Sequence, residues 1–184
     1  MSRRWPLRIT GGVLVLALCA CGARPEGEEV ALRIAKTEQE LAPLLQEEAL
    51  EVSEEAAGLV QSLLRDYATY INAHHGDSLS LHYGMRRADL LLGKGDAEAA
   101  IQQWIDVVGG GASGELAAEA MFRVGLTREV ALQDTVGALK AYAELIRLHP
   151  ESQWSGPAGE AAKWLTFSES EFIRALELGA EAHR

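Results

Sequence analysis

Three aromatic residues recur at a near-constant interval in this chain, and that interval constrains the fold more than any other feature. Tyr67, Trp104 and Tyr142 stand 37 and 38 residues apart. Around each, one apolar face repeats at helical spacing: Leu59, Leu63, Tyr67, Tyr70 and Ile71; then Ala100, Trp104, Val107 and Val108; then Ala138, Tyr142, Leu145 and Ile146. Tyr67-Ala68-Thr69-Tyr70-Ile71 matches Tyr142-Ala143-Glu144-Leu145-Ile146, and Trp104-Ile105-Asp106-Val107-Val108 fits between them. Self-similarity at a period of roughly 20–50 residues marks an array of stacked supersecondary units.

A second helical segment precedes each later aromatic. Leu81 to Leu92 carries Tyr83, Ala88, Leu91 and Leu92, and Gly93-Lys94-Gly95-Asp96 turns the chain with Asp96 as N-cap. Glu115 to Ala131 carries Ala118, Met121, Phe122, Gly125 and Leu126, and Gln133-Asp134-Thr135 makes the next turn with Asp134 as cap. The repeating unit is helix, short turn, helix. Ser168-Glu169-Ser170-Glu171 reads as a capping box opening a last helix with Phe172, Ile173, Leu176 and Leu178. Such a helix would cover the open end of the array, as stacked repeats require.

These residues resemble the tetratricopeptide repeat. One copy supplies Ala88, Gly95-Asp96, Ala100, Trp104 and Val107; the next supplies Gly125, Asp134, Ala138, Tyr142, Leu145 and Pro150. The step from Ala100 to Ala138 is 38 residues, longer than the family's usual unit. Val107 and Leu145 stand where the family prefers Ala. His149-Pro150-Glu151-Ser152 and the following Ala158, Ala161, Ala162 and Leu165 resemble the divergent repeats of bacterial exported lipoproteins. The resemblance spans residues 56 to 178. It implies an all-α, antiparallel helix-pair superhelix with about two full repeats and flanking capping helices, placed here at 50–178 with a tail at 179–184.

The N-terminus reads as an export signal over 1–20. A basic start (Arg3, Arg4, Arg8) leads into the mostly apolar stretch Ile9 to Ala20, too short for a spanning helix, which needs ~20 apolar residues. Leu18-Cys19-Ala20-Cys21 resembles the bacterial lipobox. The resemblance implies that Cys21 takes the lipid (palmitate-type acyl chains) and that Cys19 leaves with the signal. Gly22 at the next position implies outer-membrane sorting, with the body facing the periplasm. One acyl chain holds a protein only marginally, whereas two or three hold stably.

Charge and cysteine content narrow the function. The full chain carries 17 basic and 27 acidic residues; without the leader arginines the balance is 14 against 27. That excess of acid excludes a nucleic-acid footprint and adhesion to anionic lipid through a basic surface, leaving the lipid as the only membrane contact. No Cys follows Cys21, so the body holds no disulfide framework, thiolate zinc site or catalytic Cys. Ten Glu against Arg33 and Lys36 between Glu26 and Glu55 read as a solvated acidic tether, assigned to 21–49, leading into the start of a helix; like charges extend such a segment.

Rival motifs are outweighed. Gly109-Gly110-Gly111-Ala112-Ser113-Gly114 satisfies G-x-G-x-x-G, with Asp134 twenty residues on. No second strand pattern follows, and Trp104 is in register with two helical positions. His74, His75, Asp77 and His82 could ligate a metal, but a helix end explains them: His suits a C-terminus, Gly76 breaks the helix, and Asp77 or Ser78 caps the next. His149 holds the matching place in the second repeat. Trp104, Trp154 and Trp164 read as packing residues. No catalytic set, cofactor site or metal site is picked out.

The expected function is a lipid-anchored envelope scaffold that binds a protein or peptide. By analogy with the family's groove, His82, Met85, Asp89, Phe122, Leu126 and Glu129 on the first helix of each unit would face the partner. The alternatives are a periplasmic hydrolase or metal-dependent enzyme on a helical frame, and a plain structural spacer.

Overall fold

Five helices begin where a short polar side chain or an extended residue releases the chain into a helical run. The computed structural model describes residues 26–44 and 53–167, and these form seven helices with no strand among them. They are α1 (Glu26–Leu44), α2 (Glu54–Ala73), α3 (Ser78–Gly93), α4 (Ala97–Gly109), α5 (Gly114–Val130), α6 (Thr135–Leu148) and α7 (Ser155–Thr166). Ser53 caps α2 by accepting from the Ala56 amide, and Asp77 caps α3 at Ser80. Asp96 caps α4 at Ala99, and Asp134 caps α6 at Gly137. Each bond satisfies an amide that the first helical turn leaves without a partner. The leader, Cys21 and the expected last helix with Phe172 lie outside the described residues. No helix among the described residues is long and apolar enough to cross a membrane.

Each helix packs mainly on its neighbours in sequence, and α5 also touches α7. The three repeated aromatics are the centres of three successive cores. Tyr67 lies between α1, α2 and α3 with Ile34, Leu63 and Tyr83. Trp104 lies between α3, α4 and α5 with Met85, Ala88, Ala100 and Val124. Tyr142 lies between α5, α6 and α7 with Met121, Ala138, Leu145 and Ala158. All three are at most 2% exposed, as the repeat spacing predicts. Two helix glycines are close-packed, the repeat's Gly125 among them. A Cβ on Gly125 would run into the Tyr142 ring, and one on Gly84 would lie 2.5 Å from Val107 Cγ2.

The acidic segment is a structural element where the sequence suggests a tether. Over Glu26–Leu44 the expected linker is helix α1, with Val30, Ile34 and Leu41 buried against α2 and α3. Those three residues fall at steps of four and seven, one stripe of a helix, within a charge run that suggests solvation. Polar ties fix the docking: Arg33 pairs with Asp66 at 2.8 Å, and Glu38 accepts from both the Tyr67 hydroxyl and Arg86. The glutamate repeats too, since Glu129 of α5 accepts from the Tyr142 hydroxyl at 2.8 Å. α1 therefore stands to α2 as α5 stands to α6. The described residues hold three helix pairs and α7, one pair more than the two full repeats expected.

The middle pair breaks the pattern. Leu92 occupies the place of Glu129 and packs on the cluster around Trp104. The Trp104 Nε1–H is buried without an acceptor, a cost that the large apolar contact of the indole offsets.

Candidate functional site

The helix faces proposed from the sequence are mostly committed to internal contacts. Met85 is a core residue, 7% exposed, in the Trp104 cluster. Phe122 is half-buried between Tyr142 and Trp154, with ring centroids 5.9 and 5.0 Å away. Glu129 holds the Tyr142 hydroxyl. Asp89 pairs with Arg123, which also holds Glu119 at 2.7 Å. Burial pushes the Asp89 carboxyl above its usual range, Arg123 pulls it down, and Glu119 adds to the rise. His82 is exposed, its ring nitrogen 2.7 Å from the Ser78 carbonyl oxygen, and Leu126 is exposed. Of the six, His82, Asp89 and Leu126 are exposed, with Asp89 tied to Arg123. Met85, Phe122 and Glu129 do not form a free groove with them, because side chains at these positions reach the neighbouring helix before they reach solvent.

The histidines take helix-end roles. His74 closes α2 and His149 closes α6 in nearly the same backbone conformation, with φ −131° and −133°. The His74 ring lies 4.5 Å from that of Tyr70, and Asp77 caps α3. Among the described residues no three His, Cys, Asp or Glu side chains gather as a metal site. The glycine-rich run joins two helices: α4 ends at Gly109, Gly111 takes φ +103°, and α5 begins at Gly114. Ile105 to Val108 is helical, so the strand that a dinucleotide fingerprint requires is absent there.

The open surface lies elsewhere. A cleft of about 670 Å³ runs between α4 and α6 over α5. Ile105 and Val108 form one wall, Val136, Ala141 and Leu148 the other, and Met121 and Val124 the floor. Ile105, Val136 and Leu148 are 43%, 64% and 45% exposed. Clustered exposed apolar residues of this kind mark interaction sites. Lys140 and Glu144 rise from the α6 wall. At one end the Gly137 amide and Arg128 hold the Asp134 carboxyl below its ordinary range, with a contribution from Lys140. At about 100° per residue, Val124 faces the opposite side of α5 from Phe122 and Leu126.

A sequence signal for this cleft exists. Ile105, Val136 and Leu148 are apolar residues off the buried stripes of Trp104–Val107 and Ala138–Tyr142–Leu145. No amphipathic pattern needs them for the core. No protein-family model matches the chain, and no curated protein matches it.

Proposed function

We propose that this chain is a scaffold held to a cell-envelope membrane by lipid on Cys21, which presents an array of tetratricopeptide-like helix pairs to a protein partner. The observation that carries the reading is the apolar cleft between α4 and α6, with Ile105, Val136 and Leu148 exposed along its walls. Covering that surface would remove a few side chains' worth of apolar area from water, at about 25 cal/mol per Å². A helix or extended segment of a partner is the natural cover. The contacts that occupy Met85, Phe122 and Glu129 favour this side of the array over the face first expected from family analogy.

The test compares capture of partners from membranes by full-length protein and two variants. Ile105→Asp with Val136→Asp places charges in the cleft and should abolish capture. Asp89→Arg with Phe122→Ala alters the other face and should leave it intact. The reverse result would return the site to the α3–α5 face. For the anchor, incorporation of a palmitate analogue should disappear in Cys21→Ser.

A further inference from the structure

The two helix pairs that flank α4 build equivalent clefts with opposite chemistry. Aligning Tyr67, Trp104 and Tyr142 places a second cleft of about 370 Å³, between α2 and α4 over α3, in register with the apolar one. In it Gly84 stands for Met121, Arg87 for Val124, and Gln103 for Ala141. Val107 and the Gln103 amide lie over Gly84, and the Arg87 guanidinium lines the same cleft where the other has Val124.

Arg87 is held but not neutralised. Its Nη1 donates to Oε1 of Gln103, a side chain nine-tenths buried, and its Nε donates to the Leu64 carbonyl at 3.4 Å. The other arginines of the described residues, apart from exposed Arg65, each pair with a carboxylate. Asp106, the carboxylate that lines the cleft, accepts from Gln102 Nε2 at 2.8 Å and makes no ion pair with Arg87. A half-buried guanidinium with two neutral acceptors keeps donors free, in a chain whose net charge is −10. Its planar fork matches a carboxylate, and its fixed orientation lowers the entropy lost on binding. Gln103 Nε2 lies over Gly84, where a Cβ would come within 3.4 Å, and adds an amide donor.

We propose that the α2–α4 cleft binds a peptide carboxylate through Arg87 and Gln103. With the apolar cleft one repeat away, it selects a partner segment that carries an acidic residue beside an apolar one. This inference rests on the protein-binding reading above and names the partner's chemistry.

The test uses isotope-labelled full-length protein with succinate as the probe and succinamide as its neutral counterpart at equal ionic strength. Succinate should give saturable shifts of the Arg87 Nε–H and Gln103 amide signals. Succinamide should not, and Arg87→Gln should abolish them. Equal shifts with both compounds, or none with succinate, would overturn the carboxylate site. Inorganic phosphate separates a general anion site from a carboxylate site: tighter binding of phosphate than of succinate also overturns the proposal. A displayed peptide library selected on the same protein should enrich acid-plus-apolar sequences, with Arg87→Gln binding them about tenfold more weakly, ~1.4 kcal/mol. If Arg87→Gln leaves the acidic preference intact while Val136→Asp abolishes binding, this inference fails and the scaffold reading stands. If neither variant affects peptide binding, both fail.

Discussion

Replacing Gly125 by Ala tests whether the repeat is held together by close approach of a first helix to the aromatic of the second. In most helix interiors this substitution stabilises, because Ala is favoured over Gly by ~0.8–1 kcal/mol. Here the added methyl would meet three atoms of the Tyr142 ring. The ring cannot swing away. It is 0% exposed, and its hydroxyl is tied to Glu129 at 2.8 Å. Overpacking of this kind costs ~1–3 kcal/mol. Gly58 supplies the control: it also lies within a helix, but a Cβ there meets nothing within 4 Å. Gly58→Ala should therefore raise stability by the propensity difference alone. The gap between the two variants isolates the steric cost. In a chain of 184 residues, ~1–3 kcal/mol corresponds to a Tm difference of roughly 2–12 °C, read by circular dichroism. If Gly125→Ala melts at or above Gly58→Ala, the explanation of the small residue in the repeat is wrong.

Further outcomes follow from the same contacts. Ile34→Ala should cost ~2–5 kcal/mol in denaturant unfolding, because the residue is fully buried; a tether at this position would give no change. The phenols of Tyr67, Tyr70, Tyr83 and Tyr142 are all raised above 10.0, each chiefly by burial. Raised folded values give stability that is complete below pH 10 and lost as pH climbs through them. Tyrosinate absorbance should therefore rise together with the loss of helical signal, and a separate rise near pH 10 in the folded protein would contradict the burial. Asp134 has the opposite sign: its lowered value gives stability present above the ordinary 3.8 and lost as pH falls through the lower folded value. The stability gap between wild type and Asp134→Asn, in urea titrations at a series of pH values, should be constant near neutrality and close as pH falls from 3.8 through the lower folded value.

The succession of helices was legible in the sequence because each signal is local. Asp96 and Asp134 cap the helices that follow them, and His74 and His149 end the ones before. Tyr67, Trp104 and Tyr142 are buried where their spacing places them. These features depend on one helix's periodicity or one turn's hydrogen bond, and neighbouring residues supply both. The burial of Val30, Ile34 and Leu41 in α1 was legible only in part, since the same segment carries enough Glu to suggest a tether.

Tertiary structure decided which faces remained open. Phe122 and Glu129 look like groove residues along the sequence, yet Tyr142 meets both, and Asp89 is taken by an arginine 34 residues away. The apolar cleft exists only because α4 and α6 stand apart over α5, leaving Ile105, Val136 and Leu148 uncovered. Arg87 acquires its meaning from Gln103, sixteen residues on. Periodicity reports which side of a helix is apolar. Whether that side meets another helix, and which charges cancel, is fixed by the register between helices, and that register comes from side-chain volumes meeting across the chain.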